Sequence, residues 1–379
     1  MEPYDIVCIA QSSWNGVWAR PQQLMSRFAR QHRVLFVRPI SIAHLLTNPS
    51  ERNWKPFEWV ESNLWVYSPL MLPFGRRIPG VRRLNEARIV RLVRRAIRRL
   101  GFERFVLWFY APMSQYLVGR LGESGVVYDC TDAWERFEKT PPSTIERDRL
   151  LTAQADVLFA ATNRVYETRR ARNPNCHLFT CAVDYEHFAD APAGLPDDLA
   201  GLARPIVGYT GLIDEARVDC ELLRGLAREH PEWSIVLVGP VQEDVLLRAL
   251  RHPNIHFLGL KPYDELPRYV AAFDVAIVPY RVSEATHNIN PTKLLEYMAA
   301  GKPVVSTALD EIKSFYLDRL AIADSHDAFV RSVERVLSGA MSLPIESNRA
   351  LAADRSWESV STEMLQLVET HLETAEAPR

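Results

Sequence analysis

The sequence has no apolar run of the roughly 18 residues that a bilayer-spanning helix requires, although 47% of its 379 residues are hydrophobic. A membrane anchor of that kind is therefore not expected. It also has no CxxC pair. The five cysteines (Cys8, Cys130, Cys176, Cys181, Cys220) are scattered, odd in number and mostly set in or beside apolar runs. They read as reduced core thiols rather than a disulfide framework or a thiolate metal site. The ten histidines include no HExxH, so no catalytic metal and no bound cofactor are expected. The first apolar run, 5–11, is followed by Ser12-Ser13-Trp14-Asn15-Gly16 and not by GxGxxG, which argues against a dinucleotide-dependent dehydrogenase. No basic stretch precedes that run, so no secretory leader is expected and the expected location is the cytoplasm.

What is present is a chain long enough for two domains. The joint between the halves is expected near 181–201, where Asp190-Ala-Pro-Ala-Gly-Leu-Pro-Asp197 is rich in helix and strand breakers, and the expected division is residues 1–190, residues 191–350, and a closing helix over 351–379 that packs back toward the first domain. The net charge of −2 conceals an asymmetry. Residues 1–185 carry 27 Lys+Arg against 17 Asp+Glu, and the remainder 18 against 30.

Much of the basic excess lies in Arg76, Arg77, Arg82, Arg83, Arg88, Arg91, Arg94, Arg95, Arg98 and Arg99. Ile89, Val90, Val93, Ala96, Ile97 and Leu100 interleave with these at helical spacing, which predicts an amphipathic helix over 82–99 with a cationic outer face. Such a face suits an anionic membrane surface or a phosphorylated acceptor; the alternative is a solvated helix face. Nucleic acid is not an expected partner, because no nucleic-acid module is recognisable and the total charge is slightly negative.

Strand and helix patterns alternate along the chain. Apolar strands are predicted at 5–11, 33–39, 64–70, 105–110, 125–130 and 156–161, then at 206–211, 234–238, 255–259, 275–279 and 303–306. Helical segments separate most of them, among them 20–30, 220–229, 243–251, 263–272 and 291–300. Continuous apolar strands with helical crossovers imply parallel sheets covered on both faces. The expected class is α/β, with two doubly wound Rossmann-like domains facing a central cleft at the carboxyl ends of their strands.

The most informative stretch is Asn288-Ile-Asn-Pro-Thr-Lys-Leu-Leu-Glu-Tyr-Met-Ala-Ala-Gly-Lys-Pro-Val-Val305. Asn290 is a suitable N-cap and Pro291 a suitable first helical residue. The helix start then offers free N–H groups to a phosphate, and Lys293 in the first turn adds a point charge. Glu296 falls on the same face, where a carboxylate can accept two hydrogen bonds from a vicinal diol such as a ribose. Gly301 ends the helix.

This segment resembles the donor-site helix of GT-B glycosyltransferases. The match is to the large family-4-like group (glycosyl transferases group 1), in the "NPxKxxEYxAxGxPVV" form of bacterial cell-surface polysaccharide enzymes that includes the xanthan glucuronosyltransferase. Trp14-Asn-Gly-Val-Trp-Ala-Arg-Pro-Gln-Gln-Leu24, Val127-Tyr-Asp-Cys-Thr-Asp132, Val183-Asp184 to Phe188, and Gly208-Tyr-Thr-Gly211 resemble further motifs of the same enzymes, in the same order.

The resemblance implies a metal-independent hexosyltransferase, taking a UDP- or GDP-sugar as donor and a lipid-linked or polysaccharide acceptor. It places the donor ribose on Glu296, the diphosphate on Lys293 with the helix start, a close backbone approach at Gly211, and the nucleobase along Leu260-Lys261-Pro262. The first Glu of the family's E-x7-E pattern falls on Asn288, which leaves the donor sugar and the stereochemistry open. In inverting relatives a carboxylate near Asp129 and Asp132 acts as general base, with Asp132 the closer match; either residue could instead cap the following helix. Trp14, Trp18 and Arg20 are candidates to line the acceptor site, or to pack the domain. Two further functions share the fold: a nucleotide-sugar epimerase, and a non-catalytic nucleotide-binding subunit.

Overall fold

The computed structural model describes residues 4–16, 18–48, 51, 54–75, 78–136, 140–242, 250–287 and 289–376. They form two compact units. One runs to Thr180 and resumes at Val360; the other is Cys181–Ser359.

The first unit is built on strands β1 (Asp5–Ile9), β2 (Val34–Val37), β4 (Phe57–Glu61), β5 (Leu64–Tyr67), β7 (Phe105–Phe109), β8 (Gly125–Cys130), β9 (Val157–Ala160) and β10 (Cys176–Leu178). They lie in the order β10-β9-β8-β7-β1-β2-β5-β4, and β3 (Ile40–Ser41) pairs separately with β6 (Leu70–Met71). All neighbours in the large sheet run parallel except β4, which is antiparallel to β5. Every residue of β1, β2, β7, β8 and β9 is buried. That is why these strands read as unbroken apolar runs: helices cover both faces and leave no polar side.

One covering helix is Pro79–Leu100, longer than the predicted 82–99 and closed by Gly101 in the left-handed conformation at φ 64°. Its Ile89, Val90, Val93, Ala96 and Ile97 enter the core, and the arginines from Arg82 to Arg99 remain exposed. Arg76 and Arg77 lie outside the described residues.

The second unit is a six-stranded, wholly parallel sheet. Its strands are β11 (Ile206–Thr210), β12 (Ser234–Val238), β13 (Ile255–Gly259), β14 (Val275–Val278), β15 (Val304–Thr307) and β16 (Ala321–Ala323), in the order β13-β12-β11-β14-β15-β16. The chain winds outward from β11 to β13, returns to the other side of β11 and winds outward again. β11 and β14 thus flank the point where the winding reverses. Most of the predicted helix 243–251 lies outside the described residues.

The second unit begins at Cys181, at the start of the expected 181–201 joint and ahead of the 190/191 boundary. Residues 181–190 belong to the second unit, because the Val183 N–H donates to the Arg355 carbonyl at 3.0 Å, the Trp357 N–H donates to the Val183 carbonyl at 2.9 Å, and Val183 and Phe188 are buried in that unit's core. The breaker-rich 190–197 stretch is a surface loop after the junction, not the junction itself. At the other end, residues 351–359 also stay with the second unit, and the Trp357–Glu376 helix is grouped with the first unit from Val360 onward.

Candidate functional site

The carboxyl ends of β11 and β14 leave a crevice in the second unit, because the loops that follow them depart in opposite directions. The backbone there is shaped by glycine. Gly211 follows β11 with φ 130°, and a Cβ on it would lie 2.5 Å from Lys293 Nζ. Gly239 follows β12 with φ 145°, and a Cβ on it would lie 2.0 Å from the Gly211 carbonyl oxygen. The Gly211 N–H donates to Val238 O at 2.8 Å and the Gly239 N–H to Gly259 O at 2.8 Å. Three adjacent strand ends are drawn together in a way only residues without a side chain permit.

Lys293 occupies the space Gly211 leaves. Its ammonium donates to the Tyr280 hydroxyl at 2.8 Å and the Tyr209 hydroxyl at 3.0 Å, and it lies 4.2 Å from the Tyr209 ring centroid. The Tyr209 hydroxyl in turn donates a hydrogen bond to Leu212 O at 2.9 Å. For Tyr280, burial is the largest single influence and pushes the phenol up. The charge and hydrogen bond of Lys293, the hydrogen bond with Tyr209 and the Arg217 charge together outweigh it, so the phenol titrates below its ordinary value. Two cations therefore act on one hydroxyl at the crevice.

The Lys293–Ala299 helix is held in place by Tyr297, whose buried hydroxyl accepts the Thr210 N–H at 2.7 Å and bonds Thr210 Oγ1 at 3.0 Å. Gly301, with φ 67°, closes the helix, and the Lys302 N–H reaches back to Tyr297 O at 2.9 Å.

Glu296 is half-buried one turn beyond Lys293, and its carboxylate makes no hydrogen bond to any described residue. Burial pushes its carboxyl up to about 7, against the pull of the Lys293 charge. This gives the first prediction. A diol needs the ionised carboxylate as acceptor, so nucleotide affinity should rise between pH 6 and 8 as Glu296 loses its proton near pH 7, then level off. Calorimetric titration across that range should show the rise in the wild type and a weak, flat profile in Glu296→Gln.

Other expectations for this region are corrected. Asn290 does not cap the helix. The described helix begins at Lys293, its cap position is Thr292, and no side chain caps it. Asn290 is instead buried, its Oδ1 accepts from the Tyr316 hydroxyl at 3.3 Å, and its Nδ2 has no hydrogen-bond partner among the described residues. With a helix of seven residues, the dipole adds little, and the positive charge of the site rests on the Lys293 side chain. Lys261 turns away from a base-edging role: its ammonium is held by Asp198 Oδ2 at 2.5 Å and lies over the Tyr269 ring, while Leu260 and Pro262 on either side of it are exposed. Asn288 lies outside the described residues.

Tyr209, Tyr280, Arg217 and Gly239 were not picked out from the sequence. The readable signal for the two tyrosines was a phenol at the end of each of two buried apolar strands, and for Gly239 a Gly-Pro directly after one.

In the first unit, β8 and the residues after it separate the two candidate bases. Asp129 is fully buried, with both carboxylate oxygens on Arg20 Nε at 3.0 and 2.9 Å, and Arg20 Nη1 donates to Thr180 O at 2.9 Å. Asp129 is thus a structural ion, not a base open to an acceptor, and Arg20 is its buried partner rather than a lining residue. Removing one member of such a pair strands the other in a dry interior. Asp129→Ala should therefore lower stability by about 3–5 kcal/mol, measured by urea unfolding.

Trp14 is also buried, against Phe36 at 5.1 Å and Trp18 at 5.8 Å between ring centroids. It packs the domain, whereas Trp18 is 47% exposed. Asp132 lies two residues past β8 and is half-buried. Burial raises its carboxyl above the ordinary aspartate range, opposed by a 2.9 Å hydrogen bond from Thr131 Oγ1. Of the two carboxylates, Asp132 alone combines access with an elevated pKa, the combination a general base requires.

Residues 204–339 match the family model described as Glycosyl transferases group 1. The whole chain has the fold of sucrose-phosphate synthase from Thermosynechococcus elongatus, with a TM-score of 0.73 at 16% identity over 98% of this chain and 100% of that one. Residues 204–339 are thus similar to that family, and the chain as a whole shares the GT-B fold. In sequence it is 29% identical over 259 residues to the putative teichuronic acid biosynthesis glycosyltransferase TuaH of Bacillus subtilis (strain 168), covering 62% of this chain and 64% of that protein's length. The fold also matches Anabaena Alr3699/HepE, solved in complex with UDP and glucose, with a TM-score of 0.68 at 13% identity over 97% of this chain and 100% of that one.

Proposed function

We propose that the protein transfers one sugar from a nucleoside-diphosphate sugar, with UDP favoured over GDP, to a lipid-linked or growing glycan acceptor in cell-surface glycan synthesis, at the cytoplasmic face of a membrane. One observation carries the donor half of this reading. An ammonium held over a glycine turn at the winding reversal of a parallel sheet stands one helical turn from an unengaged carboxylate.

The diphosphate would lie against Lys293 and the backbone at Gly211, with Arg217 supplying a second positive charge. The Glu296 carboxylate would take the ribose diol, and the buried Asn290 amide could find in the donor the acceptor it lacks. As the bond to the anomeric carbon breaks, negative charge builds on the leaving diphosphate, and Lys293 offsets it without need of a metal. Asp132 would take the proton of the acceptor hydroxyl. The match to a teichuronic acid enzyme supports a surface-glycan acceptor, and a structural neighbour holding UDP and glucose supports a UDP-sugar.

The test is nucleotide release from a panel of UDP- and GDP-sugars, with and without a bacterial membrane extract as acceptor. Release that requires the extract is the expected result. Isomerised sugar without any acceptor would make the protein an epimerase, and no turnover with tight nucleotide binding would make it a binding subunit.

A further inference from the structure

We infer that the outer face of the Pro79–Leu100 helix, together with Phe74 and Ile78 just before it, docks on an anionic lipid bilayer: the helix's arginines meet the headgroups, and Phe74, Ile78 and Leu84 enter the acyl boundary. The inference rests on the proposed function only in placing the acceptor at the same bilayer; the surface itself is read from the first unit alone.

Residues 64–100 contain ten arginines, no lysine and one acidic residue, Glu86, and Arg147 engages that carboxylate. Leu84, Arg88, Arg91, Arg95 and Arg98 succeed one another at intervals of four and three, forming one line along the helix opposite Ile89, Val93 and Ala96 in the core. All five are exposed. Arg88 and Arg94 each direct one N–H at a backbone carbonyl, of Leu70 and Arg120. Arg82, Arg83, Arg91, Arg95 and Arg98 have no carboxylate partner among the described residues. Guanidinium groups crowded without counter-charge repel one another, and a surface of negative potential relieves that repulsion. The exclusive use of arginine suits phosphate oxygens, which its planar fork binds two at a time.

The apolar side chains decide between possible polyanions. Phe74 is 65% exposed, Ile78 49% and Leu84 56%. The Ile78 N–H donates to Phe74 O at 3.0 Å, which holds these two residues near one another, with Phe74 at φ 64° in the left-handed region that side chains seldom adopt. Water and a nucleic-acid backbone offer nothing apolar to match these three residues, whereas the headgroup–acyl boundary of a bilayer accepts apolar and cationic groups side by side.

The test is co-sedimentation of the full chain with vesicles of phosphatidylcholine alone and with vesicles of which about one third is phosphatidylglycerol. The wild type should bind the anionic vesicles and not the neutral ones. Reversing Arg91, Arg95 and Arg98 to glutamate should weaken partitioning by roughly a hundredfold. Ile78→Ser with Leu84→Ser should lower it by roughly tenfold and remove the fraction that survives high salt. An unchanged melting temperature shows that each variant is folded. Binding indifferent to lipid charge, binding unaffected by the arginine reversal, or capture of duplex DNA with no vesicle binding would overturn the inference. No turnover is read, so the outcome is independent of whether the donor site is correctly assigned.

Discussion

Asp132→Asn is expected to lower the rate of sugar transfer by about 10²–10⁴-fold while leaving nucleotide affinity and stability within twofold and about 1 kcal/mol of the wild type. Asp132 is one of two aspartates three residues apart, and the fold gives them opposite tasks. β8 carries Asp129 on the side of the sheet where Arg20 waits, with no solvent access. Asp132 has passed the end of the strand, retains access, and makes a side-chain hydrogen bond with Thr131. A base must be ionised to accept a proton, so the elevated carboxyl of Asp132 should appear as the acid limb of the pH–rate profile, with transfer falling as pH drops through its pKa. The variant should lose that limb along with the rate. A variant with full activity would assign Asp132 to the capping of its loop. Asp129→Ala should behave in reverse, losing stability first.

Lys293→Ala should weaken binding of a nucleoside diphosphate by roughly 10- to 150-fold, the range for removing one charge-assisted hydrogen bond, while a nucleoside without phosphate should bind both proteins equally. The ammonium is already positioned by two phenols, so it reaches the phosphate with little ordering left to lose. Gly211→Ala should reproduce the loss without touching the charge. The new methyl would lie 2.5 Å from Lys293 Nζ, at a backbone φ of 130° that side chains rarely adopt, and the lysine would have to leave its seat. If Gly211→Ala bound UDP normally, the close approach at that turn would not be part of the site.

Both sheets were legible in the sequence wherever a strand is buried on both faces. The runs at 105–110 and 275–279 could hardly be anything else, and β7 and β14 fall within them. β4, β10 and β16 were not seen. β4 reads FEWVE at a half-exposed antiparallel edge, and the other two are three-residue edge strands too short to carry a pattern.

The donor helix was legible for a different reason: Lys293, Glu296 and Gly301 act within a few residues of one another, so local spacing holds most of the geometry. What spacing could not hold was the partner from afar. Asp129 meets Arg20 across 109 positions, and Lys293 meets Tyr209 across 84. The same limit hid where within 181–201 the second unit begins, which is set by the pairing of Val183 with residues 355–357 rather than by the proline and glycine at 190–197.

The donor site is tested most directly by calorimetric titration of UDP, GDP and ADP into the wild type, Lys293→Ala and Glu296→Ala. The wild type should bind UDP, Lys293→Ala should lose the diphosphate contribution, and Glu296→Ala should lose the ribose contribution and the rise in affinity through pH 7. Equal UDP binding by all three proteins, or none by the wild type, would contradict the assignment of Lys293 and Glu296 to a nucleotide-sugar site.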